Sequence, residues 1–196
     1  MSRRTAELER TTSETRVEVR LDLDGSGKAR LDTGIPFLDH MLDALARHGS
    51  LDLTVKAKGD LEVDDHHTVE YVPLVLGQAV DQALGERRGL KRFGSAYAPL
   101  DEALARCVID FSSRPFAYFA GEFRRERIGG LSTENVSHFF ASFASTSRCT
   151  LHLDLLRSEN DHHAIEALFK AFALTLREAC TRTGDLAVPS TKGVLA

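Results

Sequence analysis

Hydrophobic residues recur along the chain with two spacings, which predict strands and helices in a repeating order. Over residues 16–23 every second position is apolar, as in a strand with one buried face. The turn sequence Asp-Gly-Ser-Gly follows and predicts a hairpin between this strand and the next. Apolar residues three or four positions apart predict helices. The first half is expected to contain strands over residues 16–23, 28–32 and 51–57 and helices over residues 35–48 and 67–84.

The second half of the chain repeats this order of elements. Its pattern predicts strands over residues 107–111, 117–123 and 151–155 and helices over residues 133–143 and 162–180. Each half therefore has the order β-β-α-β-α. We expect an α+β fold in which a half-domain is internally duplicated, with sheets and helices packed about a pseudo-two-fold axis. The predicted halves are residues 1–92, with the N-terminal segment, and residues 93–196, with a C-terminal loop, in one integrated domain.

Composition narrows the class of protein. A chain of 196 residues, 42% of them hydrophobic, can bury one sizeable core. A net charge of -4 argues against general binding to nucleic acid or to an anionic membrane. Three widely spaced cysteines favour a reducing compartment over a disulfide scaffold or a thiolate zinc site. With no apolar stretch typical of a secretory signal or a membrane span, we expect a cytoplasmic protein.

Six of the eight histidines occupy matching places in the two halves. An Asp-His-His motif occurs twice, and in each copy a glutamate lies four positions after the first histidine. Another histidine precedes each motif by a similar distance. A single histidine is usually an ordinary surface or hydrogen-bonded residue, but the matched pattern indicates a centre for two metal ions. The candidate ligands are His40, His66, His67, Glu70, His138, His162, His163 and Glu166.

Helix geometry and symmetry predict how these ligands are divided. Residues three or four positions apart share a helix face, so we expect His67 with Glu70, and His163 with Glu166, to bind one ion each. The predicted sites are His67, Glu70, His138 and His162 for one ion and His40, His66, His163 and Glu166 for the other. Three nitrogens and one carboxylate suit Mn²⁺, Fe²⁺ or Zn²⁺ better than Mg²⁺ or Ca²⁺.

An aspartate directly precedes three of these histidines. Asp39, Asp65 and Asp161 are candidates for acceptors that fix the imidazole tautomers. For Asp65 and Asp161, capping of a helix N-terminus is an equally good interpretation.

Several basic and hydroxyl side chains could bind an anion. A guanidinium fork and small hydroxyl donors match phosphate oxygens, although most arginines and lysines are solvated surface charges. A C-terminal stretch, Val-Pro-Ser-Thr-Lys-Gly, is typical of a loop that closes over a site. The candidate phosphate contacts are Arg92, Arg114, Lys170, Ser190 and Lys192.

Seven short strings lie in order along nearly the whole chain and match one known family. They are TGIPFLDHML (residues 33–42), DHHTVE (65–70), RFG (92–94), SRPF (113–116), NDHH (160–163) with Glu166, FKA (169–171) and PSTKG (189–193). In these strings the chain resembles the imidazoleglycerol-phosphate dehydratase family of histidine biosynthesis.

The resemblance implies dehydration of imidazole glycerol phosphate to imidazole acetol phosphate on two Mn²⁺ ions per active site. It also implies a homo-oligomer of twenty-four subunits with the sites at subunit interfaces. The family's metal ligands correspond to the eight candidates given above, and its phosphate contacts to the five basic and hydroxyl residues. Its N-terminal glutamate corresponds to Glu14, a candidate acid or base, so that the expected catalytic residues are Glu14, Glu70 and Glu166.

The expected chemistry uses the imidazole ring as the source of electrons, because the substrate has no carbonyl to acidify its C–H bond. A metal-bound imidazolate would expel the hydroxyl and give a diazafulvene-like intermediate, which then loses a proton to form the enol of the product. The chain departs from the family pattern at Tyr71, Pro73, Ser113 and Ser158. Pro73 removes one helical hydrogen bond and predicts a local kink beside Glu70.

Two other functions fit part of the pattern. A two-metal hydrolase of a phosphate ester or amide would use similar ligands to activate water. A non-enzymatic metal-binding assembly would need the same ligands, but the basic residues would then have no role.

Overall fold

The computed structural model describes residues 3–185, 187–193 and 195, which form two four-stranded sheets, a short two-stranded sheet and four helices. The strands of the first half are β1 (Thr5–Thr11), β2 (Arg16–Asp22), β3 (Ala29–Asp32) and β4 (Asp52–Lys58). Those of the second half are β5 (Phe93–Leu100), β6 (Ala103–Asp110), β7 (Phe116–Ala120), β8 (Arg127–Ile128), β9 (Leu131–Ser132) and β10 (Thr150–Arg157). The helices are α1 (Pro36–Gly49), α2 (His66–Leu84), α3 (Glu134–Ser147) and α4 (Asp161–Ala179).

The two large sheets have the same topology. Their strand orders are β1-β2-β4-β3 and β5-β6-β10-β7, and in each the third strand of the half pairs parallel with the strand that follows its first helix. Each half is therefore β-β-β-α-β-α, with β8 and β9 added in the second. The predicted duplicated α+β fold is confirmed. The first sheet uses strands up to Lys58 and the second begins at Phe93, and the division into residues 1–92 and 93–196 stays a proposal.

The predicted hairpin between β2 and β3 is wrong. β2 pairs antiparallel with β1 and β4, whereas β3 lies on the far side of β4. The connecting turn is held at the start of β4, because the Asp52 carboxylate accepts hydrogen bonds from the backbone N–H groups of Ser26 and Lys28 at 2.7 and 3.1 Å. A Cβ at Gly25 would lie 2.2 Å from the Asp52 nitrogen, so the turn can pass this closely only with glycine.

Two edge strands, β1 and β5, were missed by the sequence pattern. β1 contains only two apolar residues, Ala6 and Leu8, among charged and hydroxyl neighbours. It forms because its backbone pairs with β2 over its whole length. Charged side chains on an edge strand also hinder pairing with another molecule's edge, so weak hydrophobic alternation is expected there.

The helices pack against their own sheets and against helices of the other half. α2 packs on α3, and α1 packs on α4, which gives two equivalent helix pairs related by the duplication. Gly77 permits the close approach of α2 and α3, since a Cβ there would lie 2.2 Å from Thr146 Oγ1. Buried phenylalanine rings, including Phe140 and Phe172 at 5.4 Å between centroids, fill the space between α3 and α4.

The helices begin and end within two or, for α3, four residues of the predicted limits. α2 continues through Pro73 as one helix, and the predicted kink stays a prediction. None of the helices in the described ranges combines the length and the apolar composition needed to span a membrane.

Candidate metal centre

The packing of α2 on α3 creates the first cluster of candidate ligands. His66 and Glu70 lie one turn apart on α2, and His138 faces them from α3. His138 Nε2 is 3.4 Å from a Glu70 carboxylate oxygen, and the rings of His66 and His138 stack with centroids 4.9 Å apart. Ligand atoms of all three residues lie within 4.8 Å of one another, which is close enough for one ion to bind them together.

The packing of α1 on α4 creates the second cluster in the same way. His162 and Glu166 lie one turn apart on α4, and His40 faces them from α1. The Nε2 atoms of both histidines are 3.3 Å from the same Glu166 oxygen. Each cluster therefore offers two imidazole nitrogens and one carboxylate, a donor set suited to a first-row transition metal.

The predicted division of the ligands between two ions is wrong within this chain. Glu70 shares its cluster with His66 and not with His67, and Glu166 shares its cluster with His162 and not with His163. Both three- and four-residue spacings place side chains on one face of a helix. The four-residue spacing is the one directed at the facing helix here.

The second histidine of each motif is oriented by a carboxylate from outside its helix. His67 Nδ1 is 3.0 Å from an Asp60 oxygen, and this hydrogen bond raises the pKa of His67. His163 Nδ1 is 2.8 Å from a Glu102 oxygen. That hydrogen bond raises the pKa of His163 and, with backbone hydrogen bonds, lowers the pKa of Glu102 to about 2. A carboxylate on Nδ1 favours the tautomer that leaves Nε2 free to bind a metal.

Glu14 and Glu102 occupy equivalent turns of the two halves. Glu14 lies between β1 and β2, and Glu102 lies between β5 and β6. Glu102 orients His163, but in the first half Asp60 performs that role for His67. Glu14 lies on the other side of this ring, with a carboxylate oxygen 3.8 Å from Nε2. Glu14, unlike its equivalent Glu102, therefore does not orient a histidine through Nδ1.

The aspartates before the histidines have other partners than predicted. Asp39 accepts hydrogen bonds from the N–H and hydroxyl of Thr33, and Asp161 accepts from two backbone N–H groups at residues 124 and 125. Asp65 accepts from Ser132 and from the Asn135 amide. Asn135 Oδ1 in turn lies 3.2 Å from His66 Nδ1. Asp65 therefore acts on His66 only through Asn135.

The predicted helix caps are also wrong. Asp65 occupies the N-cap position of α2 without a side-chain hydrogen bond to the helix, because its carboxylate is used by Ser132 and Asn135. In α4 the cap is Asn160, whose side chain accepts from the His162 N–H at 2.9 Å.

Sequence reasoning missed Asp60, Glu102 and Asn135. Each belongs to a different element from the histidine it orients, so no spacing within one helix could identify it. The place of Glu102 in a turn equivalent to that of Glu14 was the available signal.

Lys170 lies in the second cluster and apart from the other predicted phosphate contacts. Its ammonium is 2.7 Å from a Glu166 oxygen, one turn along α4. Burial acts to raise the pKa of Glu166, but the hydrogen bond and charge of Lys170, with His40, outweigh it and the pKa is lowered. The equivalent position beside Glu70 is Leu74, so the two clusters differ in charge.

Four of the five predicted phosphate contacts line one cavity of about 390 Å³. These residues are Arg92, Arg114, Ser190 and Lys192, with Ser112, Thr191 and Leu195. Arg92 forms two hydrogen bonds with Asp110 and donates a third to the Pro189 carbonyl at 2.7 Å. Two cationic side chains besides Arg92 and several hydroxyls make the cavity suitable for a phosphate group.

Fold and site together define a class of protein: a duplicated α+β chain with two histidine–glutamate clusters suited to metal ions, each formed between the two halves, and a separate anion cavity. The family model described as imidazoleglycerol-phosphate dehydratase matches residues 33–176. The chain belongs to the imidazoleglycerol-phosphate dehydratase family.

Relatives and solved structures support this membership over the whole length. An imidazoleglycerol-phosphate dehydratase of Salinibacter ruber is 56% identical over 196 residues, covering 100% of this chain and 97% of the relative. That of Hydrogenovibrio crunogenus is 52% identical, covering 98% and 100%. The crystal structure of the Staphylococcus aureus enzyme has a TM-score of 0.83 at 36% identity, covering 91% and 99%. The Pyrococcus furiosus enzyme, in complex with (S)-C348, has a TM-score of 0.84 at 34% identity, covering 96% and 100%.

Proposed function

We propose that the protein is a hydro-lyase of histidine biosynthesis that dehydrates imidazole glycerol phosphate to imidazole acetol phosphate. Family membership supports the reaction. The observation that carries the proposal in this chain is the pair of equivalent clusters, His66, Glu70 and His138 between α2 and α3 and His40, His162 and Glu166 between α1 and α4. Two such clusters fit a substrate ring with two nitrogens.

The metal shells need one more nitrogen each, and His67 and His163 are the candidates. Both have Nδ1 bound to a carboxylate and lie outside the two clusters described above, and His163 instead groups with Asp101 and Glu102. Each would therefore supply Nε2 to a cluster of another copy, which gives the three nitrogens and one carboxylate expected from the sequence. This donor set suits Mn²⁺, with Fe²⁺ and Zn²⁺ as alternatives.

The distance between clusters and cavity also favours a site between chains. All six cluster residues lie near the N-terminal ends of their helices. Arg92 of the cavity lies instead at the C-terminal end of α4, where its backbone N–H donates a hydrogen bond to the Ala179 carbonyl. Glu166 and Ala179 are thirteen residues apart, or about 20 Å along a helix. A three-carbon chain between ring and phosphate is too short for that distance, which supports a site whose cluster and cavity come from different copies.

An apolar patch on the outer face of the second sheet supports assembly. Tyr97, Val108, Phe116 and Tyr118 are 38–60% exposed there. The corresponding face of the first sheet has charged residues such as Arg16, Glu18 and Arg20. Exposed apolar patches of this kind are typical of protein interfaces. We assign this face to the homo-oligomer, for which the resemblance implies twenty-four subunits.

In the proposed mechanism, the two clusters would hold the metal ions, and these ions would supply positive charge that binds the imidazole ring and favours its anionic form. Arg92, Arg114, Ser190 and Lys192 bind the phosphate and fix the carbon chain. Lys170, beside Glu166 at the cluster end, would contact the substrate phosphate if the cavity of a neighbouring copy lies next to the cluster. Glu14 transfers the proton at the substrate carbon chain.

Substitution of Asp60 tests the orienting role of the carboxylates. We expect Asp60→Asn to lower metal affinity about 10- to 100-fold, because His67 loses the partner that fixes its tautomer. The affinity is measured by titration of the metal-free protein at several pH values up to about 9, because the Asp60 hydrogen bond raises the pKa of His67 above its ordinary value of about 6.5 and protons compete with the metal at lower pH. The matched control is Glu62→Gln, an exposed carboxylate in the same loop. Equal affinity for both variants would contradict the role of Asp60.

The reaction itself distinguishes the three candidate functions. The Mn²⁺-loaded protein is incubated with imidazole glycerol phosphate while ketone and inorganic phosphate are both measured. Ketone formation without phosphate release is the expected result. Phosphate release without ketone would support the hydrolase, and metal binding without either product would support the non-enzymatic assembly.

A further inference from the structure

Ser113, in the loop between β6 and β7, has a backbone conformation that its side chain makes costly. Its φ is 63°, in the left-handed region that favours glycine. The residue is buried, with 7% of its surface exposed, and directly precedes Arg114 of the phosphate cavity. A serine in this conformation indicates that interactions of its hydroxyl offset the backbone strain.

One partner of the Ser113 hydroxyl is the buried guanidinium of Arg87. Arg87 is 3% exposed and pairs with the Asp81 carboxylate. It donates hydrogen bonds to three carbonyls, that of Phe111 after β6 and those of Ser147 and Arg148 at the end of α3, at 2.9–3.3 Å. It also donates to Ser113 Oγ at 3.1 Å. So many partners hold the guanidinium fixed.

The other partner of the hydroxyl is the C-terminal loop. Because Arg87 can only donate, the Ser113 proton is free to point the other way, and Ser113 Oγ donates to the Leu195 carbonyl at 2.8 Å. Leu195 lines the phosphate cavity together with Ser190 and Lys192. Arg92 holds the start of the same loop through the Pro189 carbonyl. The loop is therefore attached at both ends.

We propose that Ser113 is a positioning residue for substrate binding, which joins the fixed Arg87 to the C-terminal loop and holds that loop over the phosphate cavity. The inference rests on the proposed assignment of this cavity to the substrate phosphate. Without the Ser113 hydroxyl, the substrate must order the end of the loop when it binds. The chemistry at the metal clusters is untouched, so the effect falls on KM and not on kcat.

The test compares two Ser113 variants on the Mn²⁺-loaded, assembled enzyme. Removal of one hydrogen bond raises KM for imidazole glycerol phosphate about fivefold, with kcat within about twofold of wild type, in both Ser113→Ala and Ser113→Gly. The dissociation constant of inorganic phosphate, as a competitive inhibitor, rises by the same factor. The control is Ser50→Ala, since Ser50 has a similar φ of 54° but ends α1, outside the cavity.

Two outcomes would overturn the proposal. Wild-type KM in Ser113→Gly, with a raised KM only in Ser113→Ala, would mean that backbone strain and not the hydroxyl matters. Wild-type KM in both variants would mean that the loop needs no attachment there. The Arg114→Ala variant distinguishes failure of the Ser113 proposal from failure of the cavity assignment. If the cavity binds the substrate phosphate, Arg114→Ala weakens phosphate binding, whatever the result for the Ser113 variants.

Discussion

Replacing His66 by alanine is expected to reduce kcat about a thousandfold or more, because it removes one of three ligands that this chain supplies to the first cluster. His66 is one turn from Glu70, and its ring stacks on His138, so the substitution removes both a ligand and a packing contact of the cluster. The same loss is expected for His163→Ala, although His163 lies outside both clusters of its own chain. Steady-state kinetics with saturating Mn²⁺ measures both.

His48→Gln is the matched control for these variants. His48 lies in the last turn of α1, half-buried, and belongs to neither cluster. It should keep activity within a few fold of wild type. Near-normal kcat in His163→Ala would contradict the proposal that the second histidine of each motif completes a metal shell.

Co-assembly of two inactive variants should restore activity. His162→Ala disables a cluster, and Arg114→Ala disables a cavity, so each variant alone is inactive. If cluster and cavity of one active site come from different chains, a mixed oligomer contains sites in which both are intact. With equal amounts and random assembly, about a quarter of the sites should be active. The two variants are co-expressed with different affinity tags and purified on both.

A second mixture supplies the control. Wild-type chains co-assembled with the double variant also give about a quarter of active sites if each site is shared between chains. If each site lies within one chain, this mixture gives about half, and the mixture of single variants gives none. Equal activity of the two mixtures is therefore the expected result.

Much of the fold could be predicted because apolar residues recur regularly at the positions that face the core. α1, α2 and α4 carry apolar residues at helical spacing and were predicted within two residues of their limits. β1 could not be predicted, since an edge strand depends on backbone pairing and needs little hydrophobic alternation. The connection from β2 to β3 was misjudged because Asp52, far along the chain, holds the turn at β4.

The candidate site was predictable only as a set of residues. Duplication in the sequence identified the histidines and glutamates, but their grouping depends on which face of α2 meets α3 and which face of α4 meets α1. Asp60 and Glu102 reach their histidines from turns of other elements. The left-handed backbone of Ser113 was not predicted, since serine rarely adopts this conformation.

The central claim is that each chain contributes two equivalent metal centres, one from each helix pair. The most direct measurement is the number of Mn²⁺ ions per chain, determined by elemental analysis of the purified, loaded protein and of the His66→Ala and His162→Ala variants. We predict two ions per chain in the wild type and a loss of one ion in each variant. A single ion per chain, or two ions that survive both substitutions, would contradict the claim.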